Sequence, residues 1–327
     1  VLLGVVNLAA GLLILAVAAD QFVKGSARIA VHYRVSPVVV GAVLIGFGTS
    51  APEMVVSGVA AAEGELGIGV GNIIGSNVAN VSLVLAAATL VGVVPVDSRT
   101  VRREIPISVA SVVVFALLVQ GRIERWEGGL LAVLIAWFLY DTIRTSSADR
   151  QLDDEIAGAV GSAPIRHRLE FLRAGGGLVF VIASSVLVVD GATRISVALD
   201  LSGGFVGFTL VALGTSAPEL ATSVQAVRNG EPDLLVGNLL GSNIFNSLAV
   251  GAIIGLVGPG QIPDSKLGDI GAVLMVVIVV TSAVFMVHRS QVGRAKGIIL
   301  FSMWVATVVA VSGEQQIDGA LSVGAGL

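Results

Sequence analysis

Gly48-Thr49-Ser50-Ala51-Pro52-Glu53 recurs letter for letter as Gly214-Thr215-Ser216-Ala217-Pro218-Glu219, a separation of 166 residues. The segment Gly71-Asn72-Ile73-Ile74-Gly75-Ser76-Asn77-Val78-Ala79-Asn80 returns as Gly237-Asn238-Leu239-Leu240-Gly241-Ser242-Asn243-Ile244-Phe245-Asn246 at the same separation, and Gly25, Arg28 and Ile29 match Gly191, Arg194 and Ile195. A constant offset across three segments marks an internal duplication. What surrounds these segments tells what was duplicated.

The chain has 327 residues, of which 55% are hydrophobic and 13% charged. A soluble domain carries about a quarter charged residues, so this chain belongs in lipid, as its mean hydropathy of +0.93 also says. Apolar runs long enough to cross a hydrocarbon core of about 30 Å fall near residues 2–20, 35–61, 67–94, 105–120, 127–143, 174–197, 203–227, 232–257, 269–287 and 297–312. The first run lacks a basic segment before it and reads as a retained span rather than a signal-peptide core. The predicted organisation is a first five-helix repeat over 1–143, a linker over 144–173, a second five-helix repeat over 174–313 and a polar tail over 314–327. With no cysteine, a disulfide framework, a thiolate zinc site and a Cys nucleophile are all excluded. Basic residues lie in short clusters between apolar runs and form no nucleic-acid surface.

A unit with an odd number of spans inserts its second copy upside down, as in many secondary transporters. The basic residues agree: with the N-terminus outside, 15 of the 19 Lys and Arg, Lys24 and Arg28 among them, fall in cytoplasmic loops, leaving Arg122, Arg125, Arg194 and Lys266 outside. The positive-inside bias therefore predicts ten spans with both termini outside the inner membrane. The fold class expected is an all-α membrane protein, ten transmembrane helices in two inverted five-helix repeats, with broken helices where the duplicated motifs meet.

A carboxylate inside a span costs several kcal/mol on insertion scales, and no basic residue lies in the span of Glu53 or of Glu219. Two unpaired carboxylates at equivalent places of inverted repeats would meet near the midplane, where a cation could neutralise both. Their neighbours suit a hard cation, because Thr49, Ser50, Ser76 and Asn80 in one half and Thr215, Ser216, Ser242 and Asn246 in the other offer only oxygen ligands. Pro52 and Pro218 lack an N–H for the carbonyl four residues earlier, which would free the Gly48 and Gly214 oxygens. A site charge of about −2 is balanced by one Ca²⁺ or two Na⁺. Other roles compete for these residues: Gly71, Gly75, Gly237 and Gly241 serve equally as helix-packing faces, and membrane Ser and Thr commonly bond to the preceding turn. Asp20, Lys24, Asp190 and Arg194 read as anchors at span ends.

The doubled G-T-S-x-P-E and G-S-N-x-x-N motifs resemble those of the sodium/calcium exchanger family, within the calcium/cation antiporter superfamily, over almost the whole chain. The resemblance implies a ten-helix antiporter whose second, third, seventh and eighth spans surround four cation positions. By it, Glu53 and Glu219 would coordinate the central calcium beside Thr49 and Thr215. Ser50, Ser76 and the Gly46 carbonyl would line one sodium position, and Ser216, Ser242 and the Ala212 carbonyl its mirror image. Asn80 and Asn246 would occupy the middle, and the first and sixth spans would slide as a pair. Asn246 departs from the Asp of several prokaryotic members and of the potassium-dependent branch, which puts potassium co-transport in doubt.

The expected activity is antiport of Na⁺ against Ca²⁺ by alternating access, electrogenic and directed to calcium extrusion if three Na⁺ move per Ca²⁺. Na⁺ and Ca²⁺ are then the substrates; no cofactor, nucleic acid or obligate protein partner is expected beyond the bilayer. A calcium/proton exchanger is the nearest rival, since buried glutamates can also carry protons. An intramembrane hydrolase is a more distant one, because His32, His167 and His288 read as loop residues. Ion conduction through a channel is a further alternative.

Overall fold

The computed structural model describes residues 1–33, 46–98, 100–145, 167–229, 232–264 and 267–312. Among the described residues ten helical elements follow in order: α1 (Leu2–His32), α2 (Gly46–Ala62), α3 (Leu66–Val91), α4 (Ile105–Leu118, preceded by a π-helical turn Thr100–Glu104), α5 (Arg125–Thr145), α6 (His167–Leu199), α7 (Gly203–Thr215 with Ala217–Asn229), α8 (Pro232–Val257), α9 (Leu267–Ser290) and α10 (Arg294–Ser312). Among the described residues seven are long and apolar enough to span a membrane alone, or eight with the bent α7 as one span. For α2 the expected first part, 35–45, lies outside the described residues. Helix α4 is a short span of 14 residues extended by its π turn.

The helices sort by burial. The central windows of α3 and α8, which carry the repeated G-S-N-x-x-N segments, are 83% and 72% buried, against 11% for α5 and 22% for α10. Glycine brings α3 against α7: a Cβ at Gly71 would strike the Gly204 carbonyl, and one at Gly75 the Phe208 carbonyl. These two glycines therefore do have the packing role. The residues equivalent to 204 and 208 in the first repeat are 38 and 42, outside the described residues, so the counterpart at Gly237 and Gly241 is not described.

The duplication is visible in the backbone. A π-helical turn at Asn80–Val84 in α3 matches one at Phe245–Val250 in α8, and the turn Thr100–Glu104 before α4 matches Leu267–Gly271 at the start of α9. Single π turns inside long helices often mark functional positions. Two short antiparallel ladders link the repeats: β1 (Val94–Pro95) pairs with β4 (Gln291–Val292), and β2 (Arg122–Ile123) pairs with β3 (Gly260–Gln261). β1 precedes α4 and β2 follows it, so the two ladders lie at opposite ends of the bundle.

Helices α1 and α6 make the most extensive helix–helix contact among the described residues. Gly11 of α1 lies against the Ser184 carbonyl and Val188, and Gly191 of α6 against Leu8 and the Gly4 carbonyl. Their outward faces are apolar and exposed, with Leu13 at 72% and Val197 at 78%, as lipid contact requires. Polar clamps join the pair at both ends. Arg28 Nη1 pairs with Glu170 Oε1 at 2.9 Å, Glu170 being 1% exposed and also 3.3 Å from Arg173. At the other end Asn7 donates to Asp190 at 2.7 Å, and Asp190 pairs with Arg194.

Several boundaries differ from the periodicity reading. Helix α1 runs to His32, so Lys24 and Arg28 are helical rather than in a loop, and α6 begins at His167, so residues 167–173 of the expected linker are helical. Asp190 and Arg194 are not only end anchors, because Asp190 joins α6 to α1.

Candidate cation site

The two copies of the hexapeptide do not share one geometry. In α2 the helix continues from Gly46 to Ala62 with Pro52 inside it. In α7 Ser216 leaves the helix at φ −85° and ψ 5°, and the segments Gly203–Thr215 and Ala217–Arg228 meet at 44°. Of the broken helices expected, the break is seen in α7; the described part of α2 is continuous. Pro218 explains why a break is permitted there, since it has no N–H to continue the ladder and its ring crowds the preceding turn.

Glu53 and Glu219 are each 1% exposed. The two repeats come together here: Ser216 Oγ, three residues before Glu219, donates to Glu53 Oε1 at 3.4 Å. Among the described residues neither carboxylate has an ion-pair partner, and the Oε2 of each is buried without a hydrogen bond. Ser50 Oγ, Ser76 Oγ, Ser223 Oγ, Asn80 Oδ1 and both polar atoms of the Asn246 side chain are likewise buried and unpartnered. Unsatisfied buried polar atoms are individually costly. Their concentration on α2, α3, α7 and α8 makes this the polar centre of the bundle.

Ser216 and Ser242 are 3% and 2% exposed. The Ala212 carbonyl accepts from Ser216 N–H at 3.0 Å; Thr215 Oγ1 lies 3.3 Å from it, the longer of two choices for its single proton. Gly46 and Thr49 are described only as positions in the first turn of α2; their surroundings lie outside the described residues. Thr215 reaches the opposite repeat, donating to Asn72 Oδ1 at 3.1 Å, while Asn72 Nδ2 donates to Ser57 Oγ at 3.0 Å. This chain ties α2, α3 and α7 together beside the carboxylates. Asn72, Ser57, Asn77 and Asn243 escaped the sequence reading as site residues, although three of them stand inside the duplicated segments.

Among the described residues no group of three or more His, Cys, Asp or Glu gathers. The centre thus has two carboxylates, with hydroxyls, amides and carbonyls as its further donors, a hard-oxygen set. Two adjacent carboxylates out of water repel strongly, and cations bound between them remove that repulsion. Such a centre, at the junction of two inverted repeats, defines a cation-coupled secondary carrier.

The family model described as sodium/calcium exchanger protein matches residues 3–144 and 170–313. The inner membrane protein YrbG of Escherichia coli K12 is 32% identical over 93% of this chain and 96% of its own, and the putative antiporter CaxA of Alkalimonas amylolytica is 33% identical over 90% and 94%. A solved structure of the sodium-calcium exchanger NCX_Mj, soaked with 2.5 mM Na⁺ and 0.1 mM Ca²⁺, superposes with a TM-score of 0.64 at 30% identity, covering 94% of this chain and 98% of that one. The chain belongs to the sodium/calcium exchanger family, and is a multi-pass membrane protein and secondary active sodium/calcium antiporter.

Proposed function

We propose that Na⁺ and Ca²⁺ compete for one site centred on Glu53 and Glu219, and that the site closes and reopens only when cations have cancelled its charge. The observation that carries this is the pair of carboxylates from opposite repeats, 1% exposed, each with an oxygen lacking any hydrogen bond. Thr49 and Thr215 flank the centre, Ser50, Ser76 and the Gly46 carbonyl serve one sodium position, and Ser216, Ser242 and the Ala212 carbonyl serve the other. Asn80 and Asn246 face the middle. The Ala212 oxygen takes an ion on the lone pair that the Ser216 N–H leaves over, while the Thr215 proton stays on Asn72.

An empty site with two bare carboxylates is expensive to occlude in lipid, which makes exchange obligatory rather than leaky. Exchange of three Na⁺ for one Ca²⁺ moves one net charge, and about 2.3 kcal/mol per 100 mV then favours calcium exit from a negative-inside cell. The bias of Lys and Arg supports an inner-membrane orientation with both termini outside and the 144–173 linker cytoplasmic. Because the chain has no native cysteine, labelling of Gln120→Cys by an impermeant maleimide reads that orientation directly.

The test of function is ⁴⁵Ca²⁺ uptake into proteoliposomes loaded with Na⁺, K⁺ or acid. A Na⁺ gradient should drive uptake, and an inside-negative diffusion potential should retard that sodium-driven uptake. Uptake driven equally well by a pH gradient in sodium-free buffer would transfer the assignment to proton exchange.

A further inference from the structure

The π turns of α3 and α8 bring asparagines of both repeats together. Asn80 Nδ2 donates to Asn243 Oδ1 at 3.2 Å, and Asn243 Nδ2 points to the Asn77 carbonyl at 3.4 Å. An amide has a donor end and an acceptor end, so the first bond decides which end of Asn80 turns elsewhere. Its Oδ1 is the end left over, buried and unpartnered. Asn243 itself is 0% exposed.

The 166-residue offset carries Asn80 onto Asn246 and Asn77 onto Asn243. The repeat image of the observed bond therefore runs from Asn246 Nδ2 to Asn77 Oδ1. Both of those atoms are buried and neither has a partner. They are also complementary, one donor and one acceptor. Asn77 is fixed through its nitrogen, which donates to Ser247 Oγ at 3.1 Å and lies 3.6 Å from Met275 Sδ, so its Oδ1 is held as an acceptor. One member of a symmetric pair of bonds is made and the other is not.

We propose that Asn77 and Asn243 are positioning residues: each takes the side-chain nitrogen of the paired amide, Asn246 or Asn80, so that both amides present oxygen to the transported cation. The Asn80 member is preset, whereas the Asn246 member forms as the cation binds. A cation repels the NH₂ end of an amide and attracts its oxygen, so loading the centre turns Asn246 Oδ1 inward and delivers Nδ2 to Asn77. This rests on the proposed site, in which Asn80 and Asn246 face the ion. It also follows from the chemistry of position 246, because a carboxylate there would offer oxygen from either end and need no such partner.

The experiment is a double-mutant cycle on the calcium KM of the full chain in proteoliposomes, with thermal unfolding of each purified variant measured alongside. Asn77→Ala should raise the KM about five- to tenfold when residue 246 is Asn, the size of one neutral hydrogen bond. In an Asn246→Asp background the same substitution should change it less than about twofold, for want of a nitrogen to misdirect. A merely structural role predicts equal shifts in both backgrounds, and equal shifts, or none in either, overturn the proposal. Should Asn77→Ala not be recovered folded, Asn243→Ala with and without Asn80→Asp puts the same question to the other amide, with the same two outcomes. Absence of sodium-driven flux in the unsubstituted chain would instead defeat the functional reading itself.

Discussion

Glu53 and Glu219 end the same six residues, yet the chain around them takes two shapes. In α2 the helix passes through Pro52, and Ala51 is 2% exposed; in α7 the helix parts at Ser216, and Ala217 is exposed. Local sequence cannot account for a difference between identical hexapeptides, so packing does. Helix α2 is enclosed by α8, α6 and α3, whereas the second segment of α7 rests on α8 and α3 alone among its larger contacts. Proline makes the bend available, and the neighbours decide whether it is taken. One sequence holding both shapes in one molecule implies that they differ by only a few kcal/mol, the condition for a two-state element.

Three pairs of substitutions probe this comparison. The largest effects belong to the carboxylates, where the halves should behave alike: Glu53→Gln and Glu219→Gln should each lower sodium-dependent ⁴⁵Ca²⁺ flux at least 100-fold, about 2.7 kcal/mol. Near-normal flux in either would remove that glutamate from the centre. The halves should then diverge at proline. Pro218→Ala restores a helix donor, and alanine is favoured over proline by about 3 kcal/mol in a helix, so it should straighten the bend and slow turnover about tenfold. Pro52→Ala, in a helix already continuous, should change turnover about twofold or less. Equal effects on the maximal rate of exchange would erase the distinction between α2 and α7.

The smallest contrast lies in stability, at the repeat-equivalent arginines. Arg28 pairs with Glu170, which is 1% exposed, while Arg194 pairs with an Asp190 that is 36% exposed. Losing one partner of a buried pair costs roughly 3–5 kcal/mol; Arg173 remains beside Glu170, so Arg28→Ala should cost about 2 kcal/mol and lower the melting temperature by several degrees. Arg194→Ala should leave it nearly unchanged, as surface pairs generally do. Scanning fluorimetry of the two purified variants, side by side, reads the difference.

The span count and the duplication were legible because hydropathy and a constant offset survive without any knowledge of packing. That Glu53 and Glu219 lie inside the bundle was legible for a related reason: each stands in an apolar span without a basic neighbour, and both are 1% exposed. The unequal bend was not legible, since both copies spell the same residues. Arg28 read as a loop residue because the apolar run ends near residue 20, although α1 continues to His32 on the strength of its contact with α6. Asn77 and Asn243 stood in plain view within the duplicated segment, but a hydrogen bond between residues 163 apart leaves no local pattern.

The two small ladders bear on how the molecule moves. β1 with β4 fastens the α3–α4 connection to the α9–α10 connection, and β2 with β3 does the same at the far end of α4 for the α4–α5 and α8–α9 connections. Each latch is only two residues long, but together they stitch one repeat to the other at both faces of the bundle. Rocking the repeats apart as rigid shells would tear one seam or the other. Helices α3, α4, α8 and α9 are thereby tied across the repeats at both ends, while neither ladder includes α1 or α6, which leaves room for the sliding of that pair that the family resemblance implies.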